Sequence, residues 1–115
     1  MPGQDSYSDA GTAKLRSFTV DNGGRSEAVA VSSTSAESSP ILAPQAIVTP
    51  TVDVFVRQGE DGSNDALDDG TDMALLANST YRLTDITPGN TLAFIVVEAT
   101  DTGFVFITPE NGELG

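Results

Sequence analysis

Short runs in which apolar and polar residues alternate dominate the second half of this chain. Three of them follow one another between residues 81 and 109, and they read YRLTDI, TLAFIVVE and FVFITP. Their Val, Ile, Phe, Tyr and Thr side chains suit a pleated, half-buried surface. The turn signal Pro88-Gly89-Asn90 separates the first two runs, and the polar segment Ala99–Gly103 separates the last two. We therefore predict a three-stranded antiparallel meander over Tyr81–Pro109, with a positive φ at Gly89.

The same two-residue period continues in the first half of the chain. Ser17–Val20 and Ser26–Ser33 flank the tetrapeptide Asp21-Asn22-Gly23-Gly24, a hairpin signal because Asn-Gly and Gly-Gly tolerate left-handed backbone angles. The Ser-rich segment Ser32–Pro40 that follows reads either as a linker or as an edge strand whose prolines block further pairing.

Ala46–Gln58 is predicted to form a strand that Pro50 splits, because proline cannot donate a ladder hydrogen bond. After the split, the valines at positions 52, 54 and 56 share one face, and Asp53, Phe55 and Arg57 share the other. An acid, an aromatic and a base on one face indicate that this face is partly covered. Either another subunit covers this face, or the acid and the base form a salt link within the strand, on either side of a packed Phe55. We favour the salt link.

The chain contains roughly seven to eight such runs, with turn signals about every ten residues and no helical periodicity. This spacing predicts an all-β fold, an antiparallel β-sandwich or small barrel of the jelly-roll or immunoglobulin-like type, with an extended N-terminal arm. We place the arm at residues 1–13 and a single β domain at residues 14–115. The predicted core is mainly aliphatic and consists of Phe18, Val29, Val31, Val52, Val54, Val56, Leu75, Leu76, Leu83, Ile86, Leu92, Phe94, Val96, Val105 and Ile107.

The composition excludes several kinds of chemistry. The chain has no cysteine and no histidine, so neither a Ser-His-Asp or Cys-His catalytic arrangement nor a zinc site of the usual kind can form. Its 17 acidic and 5 basic residues give a net charge of −12, which repels nucleic acid phosphates and anionic membranes. The N-terminus lacks the basic and apolar regions of a secretory signal, and no apolar run is long enough to span a membrane. We therefore expect a protein made in the cytoplasm, with no enzymatic activity and no cofactor.

The segment Glu60–Asp72, called the acidic loop below, concentrates carboxylates in the sequence EDGSNDALDDGTD. Positions 1, 3, 5, 9 and 12 of an EF-hand-like calcium loop would be filled by Asp61, Ser63, Asp65, Asp69 and Asp72. The pattern breaks twice, because Ala66 stands where the sharp turn needs glycine and Asp72 stands where a bidentate glutamate is expected. We therefore expect a solvated surface loop that does not need calcium.

Candidate interface residues lie at the start of the chain and on the predicted strand Ala46–Gln58. The N-terminal arm is small and polar, and Tyr7 is its only anchor. It reads either as a frayed terminus or as an extension that orders on a neighbouring molecule. Lys14 and Arg16 follow it, and together with Tyr7, Phe55 and Arg57 they are the residues that we expect at an interface.

The second half of the chain resembles a group of small virion proteins of tailed bacteriophages that are encoded among the head genes. The resemblance covers about residues 46–110, and the matching segments are VDVFVRQG (Val52–Gly59), DGTDMALLANSTYRL (Asp69–Leu83), ITPGNTLAFI (Ile86–Ile95) and GFVFITPE (Gly103–Glu110). In that group a strand ending in glycine precedes a variable loop, a leucine-containing return, a Pro-Gly turn, an apolar strand and a closing strand ending in Thr-Pro. Residues 60–68 and the arm before Lys14 do not map onto this pattern.

The resemblance implies a capsid decoration, or cement, protein that sits on the capsid surface of the virion and stabilises the shell. Its partners would be the major capsid protein and copies of itself in a homo-oligomer such as a trimer. A head-tail or tail component is the alternative within the same setting. A carbohydrate- or receptor-binding module is an alternative of another class. Sugar sites need exposed stacking rings, for which Tyr7 and Tyr81 are the candidates.

Overall fold

The computed structural model describes residues 26–110, which form eight β-strands and no helix. The strands are β1 Glu27–Val31, β2 Ala36–Glu37, β3 Gln45–Pro50, β4 Val54–Gly59, β5 Met73–Leu75, β6 Tyr81–Leu83, β7 Thr91–Val96 and β8 Gly103–Glu110. The predicted all-β architecture is confirmed. Within the same residues no helix is long and apolar enough to cross a membrane. The predicted run Ser17–Val20, the arm and its boundary after residue 13 lie outside the described residues.

The strands form two antiparallel sheets of four strands each, with the order β1-β8-β3-β6 in sheet I and β2-β7-β4-β5 in sheet II. Their pairing is nested: β1 lies beside β8, β2 beside β7, β3 beside β6 and β4 beside β5. A long hairpin that is rolled up so that successive strand pairs alternate between two sheets is a jelly roll. In an immunoglobulin-like sandwich the first and last strands lie in different sheets. The described strands therefore match the first of the two predicted types.

The predicted meander over Tyr81–Pro109 is wrong, because its three strands do not pair with one another. β6 pairs with β3 in sheet I, β7 pairs with β2 and β4 in sheet II, and β8 returns to sheet I between β1 and β3. The connection from β6 to β7 buries Ile86 between the sheets, and the Ile86 N–H donates to Pro44 O at 2.9 Å. This connection crosses from sheet I to sheet II and contributes Ile86 to the core on the way.

Pro50 ends β3, and the chain then crosses to sheet II and continues as β4. The predicted split of Ala46–Gln58 is thus confirmed, and it separates two strands of different sheets. Proline has no N–H with which to extend the ladder. Its carbonyl accepts the Asn78 N–H at 2.7 Å, and the next residue, Thr51, donates its N–H to Phe104 O at 2.8 Å. The start of the crossing is therefore held by two hydrogen bonds.

Of the two interpretations of Ser32–Pro40, the edge strand is confirmed. β2 is two residues long and lies at the edge of sheet II, beside β7. Ser38 follows it and is buried. Its N–H donates to Leu92 O at 2.8 Å, and its hydroxyl accepts the Leu92 N–H at 3.0 Å. Ser38 thus extends the contact between this segment and β7.

The core lies between the two sheets, as the alternating pattern predicted. Most of the predicted core residues are buried in one cluster, namely Val29, Val31, Val54, Val56, Leu75, Ile86, Leu92, Phe94, Val96, Val105 and Ile107. Val52 and Leu83 are only partly buried against that cluster, and Leu76 is exposed because Leu75 before it points inward. Phe18 lies outside the described residues. The remaining members were missed because prolines interrupt the alternation around them, and they are Ile41, Ala43, Ala46 and Val48.

β7 is buried on both of its faces. Its outward residues Ala93 and Ile95 pack with Phe55 against Ala66 of the acidic loop. Most residues of the acidic loop are exposed, as expected for a surface loop, but its middle covers the outer face of sheet II through Ala66. The partial cover predicted for the face of Phe55 comes from the same chain.

Asn64 fastens the acidic loop to sheet II. Its side-chain amide donates to Arg57 O at 2.8 Å and to Thr91 O at 3.0 Å, and the residue is 5% exposed. Its Oδ1 is buried and accepts no hydrogen bond within the described residues. A Cβ atom at Gly59 would stand 2.7 Å from that oxygen. The oxygen therefore lies against the glycine backbone, and Gly59 supplies the space that the anchor needs.

The turn before β7 has the geometry that its sequence predicts. Gly89 has a φ of 95°, and the Asn90 N–H donates to Thr87 O at 3.0 Å. With Pro88 at the second position and glycine at the third, this is a type II turn. A Cβ atom at Gly89 would meet nothing within 4 Å, so a larger residue would strain the backbone without clashing.

Replacing Gly89 by valine should destabilise the fold by about 1–3 kcal/mol, because a β-branched residue is strained at this φ. The free energy of unfolding in urea measures the loss. Gly89→Asn is the matched control, since asparagine visits the left-handed region more easily, and it should lose less. Equal stability of the valine variant and the parent would contradict this account of the turn.

Replacing Asn64 by alanine should destabilise the fold by about 1–3 kcal/mol, because two buried carbonyl groups lose their donor. The neighbouring Asp65 is exposed, so Asp65→Ala should change stability by no more than about 0.5 kcal/mol. Chemical denaturation of both variants checks the difference. Similar values for the two would show that the acidic loop is not anchored through Asn64.

Candidate interaction face

The outer face of sheet I exposes two phenylalanines. Along β8 the side chains alternate, so that Val105 and Ile107 face the core while Phe104 and Phe106 point outward. The two rings are 48% and 49% exposed, and they stack on each other with centroids 6.4 Å apart and an interplanar angle of 25°. Each ring therefore covers part of its neighbour and leaves its remaining surface in water.

The neighbouring strands place small or uncharged residues around the two rings. On β1, Ala30 lies opposite Phe104 and Ala28 lies opposite Phe106. On β3, Thr49 lies opposite Phe106 and Ile47 lies opposite Thr108. The alanines are too short to cover the rings. We call the patch formed by these residues the Phe face, and it consists of Ala28, Ala30, Ile47, Thr49, Phe104 and Phe106.

The charged side chains on the outer side of sheet I neutralise each other. Arg82 of β6 lies opposite Ile47, and its Nε is 3.1 Å from Oε1 of Glu110, whose side chain is 4% exposed. The hydroxyl groups at the border bind one another, Ser26 to Thr108 and Thr49 to Thr80, each pair at 3.0 Å. An apolar patch without net charge is the part of this protein, whose net charge is −12, on which an acidic partner meets the least electrostatic repulsion.

The candidate interface residues of the central strand lie on the opposite side of the sandwich. Phe55 is half-buried beneath the acidic loop. Arg57 pairs with Asp72 of that loop, with 2.9 Å between Nε and Oδ1. Asp53 instead accepts the Ala77 N–H at 2.7 Å, so the predicted salt link within the strand is wrong. The cause is the loop, which brings a closer carboxylate to Arg57. The other three candidates, Tyr7, Lys14 and Arg16, lie outside the described residues.

Two of the candidate calcium ligands, Asp69 and Asp72, serve the internal structure of the acidic loop. Asp69 Oδ1 accepts the Thr71 hydroxyl at 2.7 Å and the Thr71 N–H at 3.0 Å, and these hydrogen bonds hold the pKa of Asp69 below its ordinary value. The second carboxylate oxygen of Asp72 accepts the Leu67 N–H at 2.7 Å. From residue 26 to residue 110 no three acidic side chains are grouped so that they could hold a metal ion. Asp61, Ser63 and Asp65 are exposed.

A cavity of about 360 Å³ opens at the end of the sandwich where β4 and β7 lie over β6. Its lining is mainly apolar and includes Val56, Leu83, Ile86 and Leu92. The Gln58 amide on its wall is held by the Thr87 N–H at 2.8 Å, and the Tyr81 hydroxyl at its rim accepts the Leu76 N–H at 2.9 Å. Because these polar groups already serve the fold, the cavity is poorly equipped to bind a sugar.

The sequence contains the alternation that turns the residues of the Phe face outward, but the face was not predicted from it. The alternation in FVFITP that assigned Val105 and Ile107 to the core also assigned Phe104 and Phe106 to the opposite face. The alternation in Ser26–Ser33 likewise turns Ala28 and Ala30 outward. The sequence did not show that these two runs pair in one sheet, because β1 and β8 are the first and last described strands and lie far apart along the chain.

Comparison of the chain with protein-family models, with curated proteins and with solved structures finds no match. The resemblance to small phage virion proteins therefore stays a hypothesis.

The acidic loop should fold without calcium, because the carboxylates of Asp69 and Asp72 already accept hydrogen bonds from the chain. The melting temperature should agree within error in excess EDTA and in millimolar calcium. A rise of several degrees in calcium would reveal a ligand that binds only the native state. That result would restore the site proposed at Asp61, Ser63, Asp65, Asp69 and Asp72.

Proposed function

We propose that this protein is a non-enzymatic structural protein of a bacteriophage virion, which binds and stabilises the capsid shell as a decoration protein. The observation that carries the proposal is the Phe face, an uncharged patch with two exposed aromatic rings on an acidic β-domain. Aromatic residues, phenylalanine included, are enriched in the buried cores of protein interfaces. The resemblance of residues 46–110 to small phage virion proteins provides the setting.

The fold is compatible with this function but does not select it. Jelly rolls occur in viral capsid domains and also in lectin domains, and a fold alone does not imply a function. The difference between the outer faces of the two sheets says more about the function than the fold does. The acidic loop covers the outer face of sheet II, whereas the outer face of sheet I carries the Phe face and one neutralised ion pair. We infer that sheet I faces the shell and sheet II faces solvent.

A single contact through the Phe face is weak, and many copies on one lattice compensate for this. Burial of the exposed halves of Phe104 and Phe106 contributes about 1 kcal/mol each, from the range for burial of a whole side chain. When copies also touch one another, binding at one site raises the effective concentration at the next. Partners are therefore the major capsid protein and other copies of this chain, and turnover of a substrate plays no part.

The Phe104→Ser/Phe106→Ser double variant should fold normally but decorate capsids at least about tenfold more weakly, because a loss of about 1.4 kcal/mol or more is a factor of ten. Purified particles that lack the protein are incubated with each variant, and bound protein is measured after sedimentation. Leu42→Ser is the matched control, since Leu42 is 77% exposed and lies outside both sheets. Full occupancy by the double variant would show that the Phe face is not the capsid contact.

The same assay tests the contribution of the N-terminal arm. A chain without residues 2–12 should stay folded and show lower occupancy if the arm engages a neighbour. Equal occupancy would mean that the arm only frays. Electron microscopy of labelled particles shows the position on the virion. Labelling confined to the tail or to the portal vertex would replace the decoration role by the head-tail or tail alternative.

The two exposed rings also keep a carbohydrate-binding module as a second candidate, because sugar rings stack on exposed aromatic side chains. Tyr81 is less suited to this role than the sequence indicated, since it is half-buried and its hydroxyl accepts the Leu76 N–H at 2.9 Å. A panel of immobilised glycans separates the two functions. Binding to a glycan that the double phenylalanine variant loses, without any binding to particles, would favour the module.

A further inference from the structure

The cavity beside β6 is a feature of the sandwich that the proposed function does not use. It lies between the edge strands β5 and β6, which have three residues each and belong to different sheets, and Met73 of β5 and Leu83 of β6 both line it. At the opposite side of the sandwich β1 contacts both β2 and β7. The two sheets therefore close on each other at the β1 side and leave a space at the β6 side.

The floor of the cavity consists of core residues. Val56, Ile86 and Leu92 line it, and all three belong to the buried cluster between the sheets. Met73 lines it at the mouth and is 61% exposed. Protein interiors seldom contain voids larger than a water molecule, whereas the volume of about 360 Å³ is within the range of small-molecule sites. The space thus leads from solvent to the core and is large enough for a ligand.

The walls of the cavity are held in place by the chain itself. The Gln58 side chain accepts the Thr87 N–H at 2.8 Å and donates to Asp85 O at 3.3 Å. Asp85 has a φ of 61°, which is uncommon for a residue other than glycine, and it stands between the lining residues Thr84 and Ile86. Such backbone conformations concentrate at ligand sites. The wall between β6 and β7 is therefore shaped before a ligand arrives.

The chemistry of the lining selects a ligand without charge. Among the described residues that line the cavity none is acidic, so a cation finds no counter-charge there. Arg82 is the only basic one. On β6 its side chain alternates with Tyr81 and Leu83 and lies on the outer side of sheet I, where it pairs with Glu110. An anion would have to compete with that carboxylate on a protein of net charge −12.

We propose that this cavity is a binding site for a neutral molecule that is mainly aliphatic or aromatic. Its volume has room for about a dozen groups the size of a water molecule. Met73 suits the mouth of such a site, because a flexible and polarizable thioether adapts to apolar ligands of different shape. The cavity lies between the sheets, whereas the Phe face lies on the outer side of sheet I. The binding therefore does not rest on the proposed function.

Solution NMR of the full chain with a neutral aromatic probe, 1-naphthylmethanol, tests the site. The probe should bind one-to-one and show nuclear Overhauser effects to the methyl groups of Val56, Ile86 and Leu92. The charged analogues 1-naphthylacetate and 1-naphthylmethylammonium should bind at least about tenfold more weakly, because a charge loses its hydration in an apolar site.

Variants locate the site and separate it from the Phe face. Leu83→Phe places a ring in the wall and should weaken probe binding at least about tenfold, a factor that corresponds to about 1.4 kcal/mol. Leu42→Phe makes the same change at an exposed position that does not line the cavity, and it should bind like the parent. The Phe104→Ser/Phe106→Ser variant should also bind like the parent.

A second variant keeps the test independent of core packing. Met73→Gln replaces the apolar mouth by a polar group of similar size at an exposed position. It should fold as the parent does and still bind the probe severalfold more weakly. The dispersion of the amide resonances shows whether each variant is folded.

Three results would overturn the proposal. The probe could fail to bind up to its solubility limit; a loss of capsid occupancy in Leu83→Phe would then make the occupant a side chain of the partner protein. The Overhauser effects could fall on Phe104 and Phe106 and vanish in the double variant, which would place the probe on the Phe face. Equal binding of the three probes would contradict the selection of a neutral ligand.

Discussion

The pairing of β8 between β1 and β3 is the constraint on which both the core and the surface of this protein depend. β8 is the longest of the described strands, and it runs antiparallel to the first and the third of them. Its register directs Val105 and Ile107 into the sandwich and Phe104 and Phe106 out of it. A shift of one residue would exchange the two sets, since side chains alternate across a strand. The hydrophobic core and the Phe face are therefore two results of one register.

The outer face of sheet II, unlike that of sheet I, is covered by a loop of the same chain. Strand β7 of sheet II is buried at every position, and its outward residues Ala93 and Ile95 need a cover. The acidic loop provides that cover through Ala66 and is held by the buried Asn64. The carboxylates that flank these two residues remain in water. A segment that is acidic in composition can thus have a structural role, because its apolar and amide side chains pack while its charges stay solvated.

The two faces together explain how an acidic protein can bind another surface without opposing charge. One face is covered by a charged loop of the same chain, and the other carries exposed rings and a neutralised Arg82–Glu110 pair. Under the proposed function, repulsion between copies acts through the first face and association acts through the second. This division requires no cofactor or reacting group. It agrees with a role in which contact area matters more than chemistry.

The sequence by itself determined the secondary structure class, most of the buried positions and the type II turn at Gly89. These features depend on local rules: alternation along a strand, the conformational freedom of glycine, and the missing N–H of Pro50. It also indicated that Phe55 is covered. Only the tertiary structure decided which strands are neighbours, and it replaced the expected meander by nested pairs in two sheets. Partners in a jelly roll are far apart along the chain, as Ala28 and Phe106 are, so no local pattern records them. For the same reason the partner of Arg57 and the position of the Phe face appeared only once the sheets were assembled.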